Sequence, residues 1–390
     1  MNTTSEETAQ GAKEGDPVAL ARALVSIPSV NPVLAPGGAG EEEIAARCTA
    51  WLTSWGLQAK AEEVAPGRWN VLASLEGSGP TLLLNGHLDT VGVDGMSVGP
   101  FDPQVEDGRL TGRGSCDMKG GLAALLAATA RLAKTGPRPN LIVGLTADEE
   151  HASLGMDTLV RSGVTADLAV VCEPTSLRVM PAHKGFVWLR AFFRGRAAHG
   201  SRPDRGVDAI RHAGLYLSAL DAYADELCRR PAHPFLGHGS LHAGTITGGT
   251  AESVYPDACE LLLERRTLPG EPTDAVVEEF QAVLDRLHDR EPDLDASLEM
   301  TLDRPGTEVS VESRLVRGLL EAGEAHGVVA RIEGMTAWVD AAFLNEAGIP
   351  AVCYGPGDIA QAHSADEWID VAEIVTCADV LETFARGLSA

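Results

Sequence analysis

Two periods of apolar recurrence divide this chain. Asp16-Pro17 reads as a helix start, an N-cap followed by proline at the first helical position. Ile44, Cys48, Trp51, Leu52 and Trp55 recur at helical spacing, and Gly56 supplies the stop. Val71–Leu75 and Thr81–Leu84 are short β-rich runs, the second apolar on both faces, as in a covered central strand. Met118 to Ala133 predicts a long helix closed by Gly136-Pro137. Leu141–Leu145 reads as a strand, Gly155–Arg161 as a short helix and Leu168–Cys172 as another buried strand. Such alternation argues for an α/β sheet. After Pro181 the rhythm changes. Phe186–Phe193 alternates, Val207–Leu227 is helical, Gly244–Thr247 and Cys259–Arg265 are strand-like, Thr273–His288 is helical, and Ala296–Leu302 is a strand. That order, β-α-β-β-α-β, is the ferredoxin-like split unit. The first rhythm then resumes with helix Val311–Glu324, strand Val328–Ile332, helix Asp340–Ala347, strand Ala351–Tyr354 and a helix from Val371. The expected fold is α/β: a main domain of residues 16–182 and 299–390, interrupted by an inserted α+β domain at 183–298. Residues 1–15 read as a disordered lead-in.

Composition narrows the class. With 44% hydrophobic and 22% charged residues, the chain is neither disordered nor low-complexity. No run approaches the ~18 consecutive apolar residues of a membrane span. The opening MNTTSEETAQGAKEGD lacks the apolar core of a secretory signal. A net charge of −25 opposes binding to nucleic acid or an anionic membrane. The seven cysteines are odd in number, scattered and never CxxC, so a disulfide framework is not expected and a reducing cytoplasm is the expected compartment.

Candidate chemistry collects at predicted strand ends. His87 and Asp89 stand in GHLDTV, Asp117 in GRGSCDMKGG, Glu149 and Glu150 in TADEEH, Glu173 in CEPT and His363 in GPGDIAQAHSADEW. In open α/β sheets that edge is where ligands bind. Carboxylates and imidazoles gathered there repel one another unless a cation sits among them. Together they suit zinc or a similar divalent ion, and they are too many for one tetrahedral ion. Two ions about 3.5–4 Å apart, sharing a carboxylate, would use them all. Taken singly, each has a plainer reading: His87 a loop residue, Asp117 an N-cap, Glu149-Glu150 a solvated run, Glu173-Pro174 a turn. Spacing alone leaves both readings open.

The strings GHLDTV, GRGSCDMKGGLAA, TADEEHASLGMDTL, CEPT and YGPGDIAQAHSADEW, in this order, resemble the dinuclear-zinc aminoacylase and carboxypeptidase family of M20-type metallopeptidases. That family includes acetylornithine deacetylases, succinyl-diaminopimelate desuccinylases and glutamate carboxypeptidases. The resemblance covers nearly the whole chain after residue 16. It implies a zinc-peptidase-like catalytic domain carrying a dimerisation or lid domain. It also implies two Zn2+ per subunit, with Co2+ or Mn2+ as possible substitutes. One ion would lie on His87, Asp117 and Glu173, the other on Asp117, Glu150 and His363, with Asp117 bridging. Asp89 would orient His87, and the Asp117–Met118 peptide would be cis. Glu149 would be the general base toward a water activated between the ions, delivering its proton to the leaving nitrogen.

In the insertion, RGRAAHGSRPDRG resembles the segment whose histidine, here His199, steadies the oxyanion in the other subunit's site of a homodimer. The segment GGTAESVYPDACELLLERRTLPGE resembles the strand pair presenting a carboxylate-binding arginine, here Arg266. Ser253 departs from the usual asparagine, which puts the substrate's end-group in question. Trp338 has two readings, pocket wall or core. His233, His238 and His242 in HPFLGHGSLH read as a surface loop, and Gly120-Gly121 lacks the spacing of a phosphate cradle. The implied activity is amide hydrolysis of a small N-acyl amino acid bearing a free carboxylate. The alternatives are a carboxypeptidase or dipeptidase and, from a different class, an inactive homologue that only binds. The missing glycine fingerprint after the first strand excludes a dinucleotide-dependent oxidoreductase.

Overall fold

A computed structural model describes residues 5–389 of the chain. The described residues divide into two compact units: 5–181 with Val309–Glu333 and 339–389, and Ala182–Glu308 with Gly334–Trp338. The second unit therefore runs past 298, because the strand Asp295–Arg304 belongs to its sheet, and it takes in five residues near Trp338.

The first unit is built on a mixed sheet. Its strands run in the order Gln58–Ala65, Arg68–Leu75, Asn140–Thr146, Thr81–His87, Leu168–Val171, Ala351–Cys353, Val179–His183, the last of which passes into the second unit after Pro181. The pairs among Asn140–Thr146, Thr81–His87, Leu168–Val171 and Ala351–Cys353 are parallel, and those toward the outer strands are antiparallel. Thr81–His87 is buried almost throughout, as its unbroken apolar run predicts. The helix Gly120–Lys134 is buried on nearly every side from Gly120 to Ala130. Its alanines and glycines permit this, since small side chains let neighbouring backbones approach. It packs against Val371–Gly387.

Several elements depart from the sequence expectation. Residues 5–14 of the expected disordered lead-in form a helix, Ser5–Glu14, and residues 1–4 of it lie outside the described residues. Ala12 of this helix is fully buried, and Trp55 Nε1 donates to Lys13 O at 2.8 Å. The helix lacks an apolar stripe, so periodicity does not reveal it. Asp16 caps the next helix as read, accepting from Ala19 N at 2.7 Å. The strand Gln58–Ala65 is too polar to register because it is a sheet edge. The strand expected at 328–332 instead occupies Ile332–Met335.

In the second unit four antiparallel strands lie in the order Ser240–Gly248, Ala258–Thr267, Gly185–Arg194, Asp295–Arg304. Helices Ala209–Leu227 and Thr273–His288 complete the ferredoxin-like arrangement. Val187, Leu189, Ala191 and Phe193 alternate inward on one strand and meet Tyr216 and Phe280 from the helices. On the opposite face Trp188 remains exposed, and Met300 of the edge strand is exposed as well. Among the described residues no helix is long and apolar enough to cross a membrane, and all seven cysteines are unpaired.

Candidate metal centre

Register levels the ends of the four parallel strands. His87 pairs with Thr146, Asn85 with Val171, and Val171 with Cys353. Every loop leaving these strands therefore starts at one edge, the carboxyl edge where α/β sheets bind ligands. His87 is the last residue of its strand. Glu149 and Glu150 follow Asn140–Thr146, and Glu173 follows Leu168–Val171. Asp117 sits in the turn Ser115–Lys119 leading into the buried helix, and the Asp117–Met118 peptide is cis. His363 arrives on the long loop after Ala351–Cys353, at φ +62°.

These side chains meet. Asp117 turns Oδ1 toward His87 Nε2 at 3.1 Å and Oδ2 toward His363 Nε2 at 3.5 Å. Glu150 Oε2 lies 2.9 Å from His363 Nε2, and Glu173 Oε1 lies 4.0 Å from His87 Nε2. Ligand atoms of His87, Asp117 and Glu150 all fall within 4.8 Å of one another, the one such cluster among the described residues. His87, Asp117 and Glu173 are buried, while His363 is about half-exposed.

Asp89 differs from expectation in which of its atoms does the work. His87 Nδ1 bonds the Asp89 backbone carbonyl at 2.9 Å and stands 3.8 Å from the carboxylate. That bond leaves Nε2 as the nitrogen facing Asp117. The Asp89 carboxylate instead accepts from the backbone N–H groups of Glu149 at 3.1 Å and Glu150 at 3.3 Å.

The electrostatics call for positive charge. Burial pushes the Glu149 carboxyl well up, opposed by the charge of His87 and reinforced by that of Glu173. Burial takes Glu173 up to about 8, again against the pull of His87 and with Asp117 and Asp340 adding to it. Burial also disfavours a charged His87, yet its hydrogen bond to Asp117 and the charges of Glu173 and Glu149 hold it well above the ordinary imidazole range. Glu150 Oε1 is buried with no hydrogen-bond partner. Crowded carboxylates, two imidazoles and an orphaned buried oxygen fit a divalent cation better than they fit one another.

The remaining expected residues lie in the second unit. His199 is exposed, with Nδ1 2.8 Å from Ser201 Oγ, and its backbone bridges Val254. Ser253, also exposed, accepts from Gly200 N at 2.7 Å through its carbonyl. An isolated β-bridge between two loops thus brings His199 and Ser253 side by side. Arg266 is half-buried. Its Nε donates to Glu264 Oε1 at 2.7 Å, and its guanidinium lies 5.5 Å from the centre of the Phe186 ring. Trp338 donates to Pro305 O at 3.2 Å and meets His183 and Phe186 edge-on. His233 Nδ1 lies 3.2 Å from Phe235 N, closing a turn of the HPFLGHGSLH loop.

Sequence reading missed the residues that hold the cluster from behind. Glu367 is fully buried and accepts from Gly114 N, Cys116 N, Asp117 N and Arg113 Nη1, fixing the turn that carries Asp117. Asp340 is buried near the cluster, and burial raises its carboxyl to about 7. Asn31, Glu41, Arg68 and Asp148 form a polar network under the Glu149–Glu150 turn. No local motif marks them, because each acts only through residues distant in sequence.

Two histidines, one of them buried, and buried carboxylates at the carboxyl edge of a mixed α/β sheet define the class of metal-dependent hydrolases. The chain belongs to peptidase family M20/M25/M40, whose sequence model matches residues 83–387. An acetylornithine deacetylase of Myxococcus xanthus is 34% identical over 322 residues, covering 80% of this chain and 82% of the relative. An aminopeptidase structure from Bacillus cereus superposes with a TM-score of 0.79 at 21% identity, covering 97% of this chain and 99% of that one. A dinuclear metal-binding M20 peptidase of Bacillus subtilis superposes with a TM-score of 0.74 at 17% identity, covering 97% and 99%. These two show the fold. The chain is accordingly a hydrolase of amide bonds from a metal-dependent family.

Proposed function

We propose that the protein is a dinuclear zinc deacylase that removes the acyl group from a small N-acyl amino acid bearing a free carboxylate. The observation that carries this is the placement of Asp117, one oxygen toward His87 and the other toward His363 and Glu150. A carboxylate facing two ligand sets suits a shared position between two ions. His87, Asp117 and Glu173 would hold one ion, and Asp117, Glu150 and His363 the other. When bound, such ions lower the pKa of water and polarise a carbonyl.

The protein's own groups do the rest. Glu149 takes a proton from the attacking water and delivers it to the leaving nitrogen, and burial, which pushes its carboxyl well up, favours its holding that proton. His87 stays oriented through the Asp89 carbonyl. Arg266 clamps the substrate carboxylate, exchanging its bond to Glu264 for a paired one. His199 donates to the developing oxyanion from the partner subunit of a homodimer, with Ser253 and Trp338 in substrate contact. The exposed Trp188, Ile246 and Met300 of the second unit are apolar surface that a dimer would cover. The unpaired cysteines agree with a cytoplasmic setting.

The deacylase reading over a peptidase rests on the 34% identical acetylornithine deacetylase and the length over which it aligns. Chromatography of products from a panel of N-acyl amino acids and dipeptides separates the two. Release of free acid from N-acyl amino acids supports the proposal, and cleavage of dipeptides alone refutes it. Glu149→Ala should bind metal as the wild type does yet lose turnover by about 10²–10⁴-fold, the usual worth of a general base. Surviving turnover would remove Glu149 from the role.

A further inference from the structure

Beneath the Glu149–Glu150 turn, three carboxylates of the first unit converge on one guanidinium. Arg68 is 5% exposed. Its Nε and Nη2 grip both oxygens of the fully buried Glu41, which leaves Nη1 free to donate to Asp148 Oδ1 at 2.6 Å. Asn31 Nδ2 joins the same Asp148 oxygen at 3.0 Å to Asp89 Oδ2 at 2.8 Å. Asp89 closes the ring by accepting from the N–H groups of Glu149 and Glu150. Asp148 itself sits at φ +68°, a region a non-glycine residue occupies only when its surroundings impose it. Its carbonyl accepts from Ala152 N at 3.0 Å and from Ser153 N, so the turn is held at side chain and backbone alike.

We infer that Arg68 is a positioning residue: through Asp148 it holds the turn that aims Glu149 and Glu150 together into the carboxylate–imidazole cluster. Two neighbouring carboxylates directed at a site already carrying Asp117 and Glu173 repel each other and their surroundings. A turn free to relax would swing them toward solvent. The planar fork of arginine can satisfy Glu41 with one edge and restrain Asp148 with the other. A lysine, a single point of charge, cannot do both. The role rests on the proposed reading of Glu149 as base and Glu150 as ligand.

The test uses full-length protein with Asp148→Asn, Arg68→Lys and the double variant, because deleting Arg68 outright strands buried charge and risks misfolding. Asp148→Asn keeps the Arg68–Glu41 pair intact. We expect kcat to fall at least tenfold with KM changed less than twofold, and zinc to pass to a chelator severalfold faster than from wild type. We expect Arg68→Lys to show the same pattern, and the double variant to be no worse than the more impaired single variant, because both act through one contact. Wild-type kcat and chelator resistance in Asp148→Asn would overturn the inference. So would full additivity in the double variant, or losses confined to KM. A wild-type protein that takes up no metal and cleaves no amide would sink the functional reading and the inference with it. Wild-type turnover alongside an unaffected Asp148→Asn variant would sink the inference alone.

Discussion

At the scale of single residues, burial decides which groups are charged. His183 is an example away from the cluster. It is 2% exposed, its Nδ1 lies 3.0 Å from the Lys184 carbonyl, and burial depresses its pKa to about 4. The folded protein therefore keeps this imidazole neutral, while the unfolded chain protonates it near its ordinary value of about 6.5. Between those two values the unfolded state binds more protons, so stability falls as pH is lowered. By pH 5 the loss attributable to His183 should be about 2 kcal/mol relative to neutral pH. Urea unfolding at pH 7 and pH 5 checks this. His183→Asn should flatten the dependence by that amount, and an unchanged slope would show that His183 is not neutral in the fold. The ligand candidates were legible as residues, because His, Asp and Glu just after apolar runs are visible in one dimension. The partners that orient them were not, since the Asp89 carbonyl and the Glu367 carboxylate are defined only by what folds against them.

At the scale of elements, the site depends on how closely the helix Gly120–Lys134 seats against the strand end that bears Glu173. A methyl group added at Gly121 would stand 2.0 Å from the Cys172 carbonyl oxygen, which is backbone and cannot turn aside. Gly121→Ala should cost about 2–3 kcal/mol of stability through this overpacking, and it should disturb the position of Glu173. Gly214, within helix Ala209–Leu227, offers the control, because a methyl group there meets nothing within 4 Å. Gly214→Ala should raise stability by about 0.5–1 kcal/mol from helix propensity and a less flexible unfolded chain. Denaturant midpoints of the two variants should move in opposite directions. Strongly patterned elements such as Thr273–His288 were readable to the residue, because an amphipathic face states its own period. The helix Ser5–Glu14 and the edge strand Gln58–Ala65 were not. Their stability comes from docking and from one neighbouring strand rather than from an apolar face of their own.

For the whole molecule, the buried carboxylates make folding and metal binding one problem. Glu149, Glu150 and Glu173 are all pushed upward chiefly by burial, so the metal-free fold carries repulsion that bound cations relieve. Stripping the metal should therefore lower the unfolding temperature. A site filled at a hundredfold excess over its Kd contributes about 2.7 kcal/mol, and at about 2–4 °C per kcal/mol for a chain this large the shift is readily measured. Calorimetry before and after dialysis against a chelator, then with zinc restored, should show a reversible drop; an unmoved midpoint would separate stability from the metal. By itself the sequence determined the alternation of strands and helices, the split β-α-β-β-α-β rhythm of the second unit and the identity of the chemical groups. Those follow from local periodicity and residue type. Only the tertiary structure decided that the ends of four parallel strands lie level and that Asp117 turns one oxygen to each histidine. It alone decided that the Glu149–Glu150 turn is pinned from below by Arg68 and Asp148. Register, burial and side-chain direction are relations between segments tens to hundreds of residues apart, and no local pattern encodes them.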